Sequence, residues 1–183
     1  FKNVMRFGDD SLIFGQRRSE RCGHGPILEE DIATTNISLD LIGQATLFLE
    51  YAGSLSNEPK TNDELAFLRL EKDYLNVLLV EQPNGHFGDT IMRQFLFDAF
   101  RLPLLTKLQE SKDKTLSSIA EKAVKETKYH LRHSSEWVVR LGDGTEESHK
   151  KIQNSLNTLY RYSHELFFVD EADALLKEKG IVP

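Results

Sequence analysis

Hydrophobic residues recur at intervals of three and four along most of the chain, a spacing that places side chains on one face of an α-helix. The longest such stripe consists of Ala33, Ile37, Leu41, Ala45, Phe48, Ala52 and Leu55. Nowhere do apolar and polar residues alternate for long enough to predict a β-strand. The pattern therefore predicts an all-α protein.

Glycines, prolines and short polar residues divide this pattern into helices. The predicted segments are a first helix capped by Asp9, Asp10 or Ser11 and ending near Cys22, then 28–55, a shorter one from Thr61 or Asn62 to Leu79, 88–110, 114–140, and 145–168 with 170–179 as an extension. The predicted inner face of 88–110 is Ile91, Phe95, Ala99, Leu102, Leu105 and Leu108. Pro103 should kink this helix, because proline lacks the N–H that closes a helical turn. Four long helices and several short ones indicate a bundle, and residues 1–183 are expected to form one domain.

Charge and composition narrow the functional classes. The net charge is −6 and no run of Lys or Arg occurs, which speaks against binding to nucleic acid. No apolar stretch approaches the roughly 20 residues that span a bilayer. Cys22 is the single cysteine and cannot form an internal disulfide, which favours a reducing compartment. We therefore expect a soluble, cytoplasmic protein that contacts neither nucleic acid nor membrane.

Helical bundles can bind two irons when two helices each supply a Glu and the other two each supply a Glu-x-x-His pair. Glu-x-x-His occurs once in this chain, from Glu146 to His149, and not on the predicted helices 28–55, 88–110 or 114–140. Leu41 with Gln44, and Thr127 with His130, have that spacing on two predicted helices. Leucine and threonine offer no anionic oxygen to offset the charge of two irons. The sequence thus predicts no catalytic, cofactor-binding or metal-binding residue of its own.

Several longer blocks occur in a specific order. They are Cys22–Pro26 (CGHGP), Ile37–Ala45 (ISLDLIGQA), Leu78–Gln94 (LLVEQPNGHFGDTIMRQ), Lys125–Leu131 (KETKYHL) and Gly142–Thr145 (GDGT). With them the chain resembles, over essentially all of its length, the subunits of the phenylacetyl-CoA epoxygenase complex (ring-1,2-phenylacetyl-CoA epoxidase), a bacterial multicomponent oxygenase. The resemblance is to the structural subunit rather than the iron-binding one. It implies a ferritin-like helical bundle with additional short helices, and a further C-terminal segment beyond Pro183.

The same resemblance implies what has become of the iron ligands. The iron-binding subunit has Asp-Glu-x-Gly-His where this chain reads DLIGQ from Asp40, and Glu-x-x-His where it reads TKYH from Thr127. Two ligand Glu positions are thereby Leu41 and Thr127, and one ligand His is Gln44. His130 alone matches a ligand, and Glu20 is the candidate for a remaining lone Glu position.

The resemblance also implies the partners and cofactors. The complex epoxidises the ring of phenylacetyl-CoA with O2 and with electrons from NADPH, which pass through a separate reductase. Iron belongs to the sister subunit, so this chain is expected to carry no cofactor. It is expected to contact and stabilise that sister, and to meet the other small subunits and the reductase indirectly. Two alternatives stay open: a free-standing di-iron oxidase or oxygenase, and a metal-free bundle that binds an acyl-CoA.

The remaining polar residues permit several interpretations. Asn36, Asp40 and Gln44 form a strip that is a solvated face, a lining of the former metal site, or a partner surface. Asp40 is a candidate to pair with Arg93 or Lys128 in place of the lost metal charge. The histidines are assigned by position: His24 and His86 to turns, His133 and His149 to the surface, and His164 to an inner face within reach of His130 or Gln44.

Overall fold

A computed structural model describes residues 1–182, and all the regular secondary structure in that range is helical, without any β-strand. The helices are α1 (Lys2–Ser19), α2 (Leu28–Ser54), α3 (Asn62–Phe67), α4 (Leu78–Glu81), α5 (Phe87–Leu108), α6 (Lys114–Gly142), α7 (Glu146–Leu159) and α8 (Glu171–Glu178), with 3-10 segments at Glu71–Asp73 and Tyr160–Phe167. The all-α prediction is confirmed. Pro183, beyond which we expect the chain to continue, lies outside the described residues.

The four long helices form the bundle. The most extensive packing joins α1 to α2 and α5 to α6, and α2 also packs on α6, so the two pairs share one interior. Helix α7 packs across α5 and α6. Within residues 1–182 no helix is both long and apolar enough to cross a membrane. That the whole chain forms one domain stays a prediction.

Helix α1 begins earlier than its polar residues predict. Asp9, Asp10 and Ser11 are buried in the middle of the helix and do not cap it. A carboxylate oxygen of Asp9 accepts from the backbone N–H of Leu75, and one of Asp10 accepts from that of Val77, both at 2.9 Å. Asp and Ser are common helix caps, but here the carboxylates hold the loop after α3. The predicted start was wrong because tertiary contacts decided their role.

Other boundaries differ at the helix ends. The helix predicted over 145–168 leaves α-geometry after Leu159, and 170–179 is not an extension but the separate helix α8, capped by the Asp170 side chain. The segment that starts with the Thr61 cap is α-helical only to Phe67. Leu55 follows the end of α2 and is 43% exposed, contrary to the predicted stripe.

The inner face of α5 was predicted only in part. Three of its predicted members are buried, Ile91, Leu105 and Leu108. Ala99 is exposed, whereas Gln94, Asp98 and Arg101 are each at most 2% exposed. The hydrophobic pattern assumes that charged side chains face water. On α5 they face the interior, and this places charged groups at the centre of the bundle. Pro103 lies within the continuous helix, and the kink expected there stays a prediction.

Candidate functional site

A set of buried polar side chains occupies the interior between α1, α2, α5 and α6. We call it the polar core: Arg18, Thr34, Gln44, Gln94, Asp98, Thr127, His130 and Ser134, each at most 4% exposed. Apolar clusters pack around it, one built on Phe48 and Leu105 and another on Phe14 and Phe97. Buried polar groups are stable only when they are paired. The contacts of each therefore indicate what the interior can do.

Two hydrogen bonds join α2 to α6 at the positions predicted from the sequence. Nε2 of His130 donates to Oδ2 of Asp40 at 2.9 Å, and Nε2 of Gln44 donates to Oε2 of Glu126, also at 2.9 Å. Residues 40–44 and 126–130 therefore lie against each other, and Leu41 and Thr127 are both 2% exposed. The structure thus brings the segments that carry all four predicted positions together at the α2–α6 contact.

The partner of Asp40 differs from the one expected. Neither Arg93 nor Lys128 pairs with it, since Asp40 binds His130. Arg93 instead donates to the backbone oxygen of Gln82 and to Oδ1 of Asn84, which anchors the turn before α5. The expected pairs were wrong because spacing along a helix does not show which groups face each other between helices.

The polar core contains one buried carboxyl group, Asp98 on α5. Its Oδ2 accepts from Nε2 of Gln94 at 2.7 Å. Burial raises the pKa of Asp98 to about 6, against the opposing effects of the His130 charge, the Gln94 hydrogen bond and the Arg18 and Arg101 charges. Burial likewise lowers the pKa of Arg18 to about 10, and the Asp98 charge acts in the opposite direction. The interior thus contains opposite charges that only partly compensate for lost hydration.

Several polar atoms of this interior have no hydrogen-bond partner among the residues that the structure describes. They are Nε and Nη1 of Arg18, Oε1 of Gln94, Oδ1 of Asp98 and Nδ1 of His130. Iron prefers anionic oxygen and imidazole ligands. This set offers one carboxylate, one imidazole already bound to Asp40, an amide, and a guanidinium that repels a cation. The donor set does not fit a di-iron centre.

No part of residues 1–182 brings together three His, Cys, Asp or Glu side chains that could hold a metal ion. Glu20 does not occupy a ligand position, because it is the exposed C-cap residue of α1. Its Oε1 lies 3.0 Å from Nη1 of Arg17. The side chain of α1 that enters the polar core is Arg18, and those of α5 are Gln94 and Asp98. That the chain supplies no catalytic or metal-binding residue stays a prediction.

Sequence reasoning missed Arg18, Gln94, Asp98 and Arg101. A signal for the last three was present: they recur at spacings of four and three on α5, whose neighbouring residues are apolar. A polar row on an otherwise apolar helix indicates a functional or structural interior as readily as a solvated face.

Two of the histidine predictions were wrong. His133 is not on the surface, since its Nε2 lies 2.8 Å from Oε2 of Glu30 between α2 and α6. His164 is exposed on the 3-10 segment and faces the ring of Tyr160 rather than the polar core. The other assignments agree with the structure: His24 in a turn, His86 at the N-cap of α5 and His149 exposed on α7.

A cavity of about 500 Å³ lies apart from the polar core, between α1, α5, α8 and the 3-10 segment before α8. Aromatic residues Phe7, Phe100 and Phe167 contribute to its wall, as do Asp10 and Arg101. Burial raises the pKa of Asp10 to about 6, while the Arg101 charge lowers it. The volume of the cavity lies in the range typical of small-molecule sites.

Comparison with known proteins agrees with this architecture. The family model described as phenylacetic acid catabolic protein matches residues 1–183. A relative from Escherichia coli (strain K12), whose name makes it one of the subunits of 1,2-phenylacetyl-CoA epoxidase, is 51% identical over 178 residues, which are 97% of this chain and 71% of the relative. The resemblance to epoxygenase subunits and the ferritin-like fold that it implies are confirmed. The chain belongs to the phenylacetic acid catabolic protein family.

Proposed function

We propose that the chain is a structural, non-oxidising subunit of a multicomponent phenylacetyl-CoA 1,2-epoxidase of aerobic phenylacetate degradation. It pairs with the di-iron oxygenase subunit and stabilises it. Iron, O2 and NADPH belong to the complex, which includes other small subunits and a reductase and acts in the cytoplasm. One observation carries the proposal: the segments that would supply the paired ligands instead hold Leu41, Gln44, Thr127 and a His130 already bound to Asp40.

The contacts of the interior support a structural role. In a metal-binding bundle the ligands also cross-link the helices, so loss of the metal removes a stabilising bridge. Here the Asp40–His130 and Gln44–Glu126 hydrogen bonds connect α2 to α6 directly. Arg18 supplies a buried positive charge near Asp98. These contacts keep the bundle intact without an ion, and binding to the folded chain lets it stabilise a partner by mass action.

The proposal is tested by counting iron and measuring turnover in the reconstituted complex. The variant combines Asp98→Asn with His130→Gln, which removes the carboxylate and the imidazole of the polar core with little change in side-chain volume. We expect iron per complex to stay unchanged and epoxidation to stay within about threefold, since general acid–base roles are worth about 100-fold or more. The matched control is Asp143→Asn, an exposed carboxylate at the end of α6.

Two results would contradict the proposal. Iron lost from an assembled complex in proportion to this chain would show that the polar core binds metal. An assembled complex with normal iron and a turnover reduced by more than about 100-fold would assign a chemical step to Asp98 or His130. Assembly is checked first by co-purification of the variant with its sister subunit.

The cavity favours a second candidate, an acyl-CoA-binding bundle. The aromatic wall of the cavity suits an apolar acyl group, and Lys2 and Lys177 at its boundary suit the anionic phosphates of CoA. Calorimetric titration of the chain with phenylacetyl-CoA tests for this binding, and the variant Leu104→Trp fills the cavity. Binding that this substitution abolishes would favour the second candidate, and no heat of binding would eliminate it. A free-standing di-iron oxidase has no comparable support, because the donor set does not suit iron.

A further inference from the structure

The outward face of α2 differs from those of the other long helices. Ile37, Leu41 and Phe48 face the core and are at most 2% exposed. On the opposite side lies a row that we call the α2 outer stripe: Leu28, Ile32, Asn36, Leu39, Gly43 and Thr46. The side chains of Leu28, Ile32 and Leu39 are 70%, 51% and 62% exposed. The stripe contains no charged residue.

Single exposed apolar residues are ordinary in proteins, but three large ones in an uncharged row on one face of a surface helix are not. At 1.5 Å per residue, Leu28 and Leu39 lie about 16 Å apart along the helix axis. Helix α7 shows the usual alternative, with Glu146, Glu147, Lys150 and Lys151 all exposed or partly exposed. The other exposed apolar runs, at 67–70 and 167–169, lie outside long helices and form no stripe. An apolar row of this length is typical of a helix that packs against a partner.

The charges of α2 indicate the chemistry of that partner. The helix carries Glu29, Glu30, Asp31, Asp40 and Glu50 and contains neither Lys nor Arg. Of these, Glu29 and Glu50 are exposed near the two ends of the stripe. Complementary potentials favour association and select partners. The partner surface should therefore be apolar at its centre and basic at both ends.

Asp40 adds a directional contact beside the stripe. Its side chain is 37% exposed, and Oδ2 is bound by His130. Within the described residues no hydrogen bond engages Oδ1, which is available to a donor from outside the chain. A Cβ added at Gly43 would meet nothing within 4 Å, so a second helix can approach the α2 backbone closely at that point.

We propose that the α2 outer stripe docks a helix of the iron-binding sister subunit. The docked helix presents apolar side chains to Leu28, Ile32 and Leu39, basic residues near Glu29 and Glu50, and a hydrogen-bond donor to Asp40. This rests on the proposed function, which supplies the identity of the partner. Because Asp40 also holds His130, docking connects the partner to the polar core.

The test compares Leu39→Glu with Val139→Glu in binding to the purified sister subunit. Val139 is 60% exposed on α6 and lies beside the charged residue Arg140, so it is matched in exposure but outside the stripe. We expect Leu39→Glu to weaken binding at least about 100-fold, because it buries an unpaired charge at the contact. Val139→Glu should bind within about threefold of wild type. Thermal unfolding of each isolated variant verifies that the fold is intact.

Reversing the end charges tests the identity of the partner surface. We expect Glu29→Lys with Glu50→Lys to weaken binding about tenfold at low salt and less at high salt, since exposed charges are screened. Equal binding of wild type and Leu39→Glu to the sister would overturn the docking surface. If wild type does not bind the sister, the proposed function itself fails. Self-association that Leu39→Glu abolishes, with no binding to the sister, would overturn the choice of partner and assign the stripe to a second copy of the chain.

Discussion

Replacing the buried carboxylate Asp98 with its neutral isostere should stabilise the isolated chain at neutral pH. Burial raises the pKa of this carboxyl from 3.8 to about 6 despite nearby positive charges. A tenfold change in proton affinity corresponds to about 1.4 kcal/mol, so the ionised form is disfavoured in the folded state by about 3 kcal/mol at pH 7. Asp98→Asn removes that charge and retains a hydrogen-bonding side chain. We expect its free energy of unfolding at pH 7 to exceed that of wild type by up to about 3 kcal/mol.

The pH dependence provides an internal check on the sign. The folded state binds the Asp98 proton more tightly than the unfolded chain does, so the stability from this group is fully present below about pH 4. It is lost as the pH rises through about 6. The difference in unfolding free energy between Asp98→Asn and wild type should therefore be small near pH 4 and grow to its full value by pH 7. Urea unfolding at a series of pH values measures that difference, with exposed Asp143→Asn expected to follow wild type.

The opposite sign at pH 7 would refute this reasoning. If Asp98→Asn destabilises the chain, the ionised carboxylate is held by Arg18 and His130 more strongly than burial disfavours it. The interior would then be a true ion-pair network, in which removal of one partner leaves the others uncompensated. A difference between wild type and variant that does not change with pH would show that Asp98 does not titrate between pH 4 and pH 7.

Three further predictions concern packing and the polar core. His130→Ala removes a fully buried ring that holds Asp40, so the midpoint of thermal unfolding should fall. Turnover of the assembled complex should stay within about threefold of wild type, well short of the loss of about 100-fold expected for a general acid–base group. Phe48→Ala opens a cavity at a site with 0% exposure, and urea titration should show a loss of about 3–5 kcal/mol; a loss below about 1 kcal/mol would mean that the core is looser than described. A Cβ at Gly53 would overlap the backbone oxygen of Lys60, whereas one at Gly43 meets nothing within 4 Å. Calorimetry should therefore show that Gly53→Ala destabilises the chain and that Gly43→Ala stabilises it by roughly 0.5–1 kcal/mol.

Much of the architecture could be predicted from the sequence. The apolar stripe of α2 and the Gly-rich end of α6 predicted both helices to within two residues at each end, because each contains a long, regular periodicity and clear terminal signals. It was equally visible that the helices predicted at 28–55 and 114–140 carry no Glu-x-x-His, since ligand pairs on one helix are a matter of spacing alone. The ordered blocks from Cys22 to Thr145 were enough to indicate the family. In each case the information is local, or is a pattern that can be counted along the chain.

Only the tertiary structure decided which polar groups are inside and which of them meet. Asp40 and His130 are 90 residues apart in the chain, yet Oδ2 of Asp40 lies 2.9 Å from Nε2 of His130. Asp98 and Arg18 carry charges that periodicity alone assigns to the solvent, yet both are buried. A charged side chain can be buried when other helices supply opposite charges and donors around it, and those neighbours depend on how the helices pack rather than on the spacing within any one of them. The exposed stripe of α2 is the converse case, because periodicity shows which residues share a face but only packing shows that the neighbouring helices leave that face uncovered.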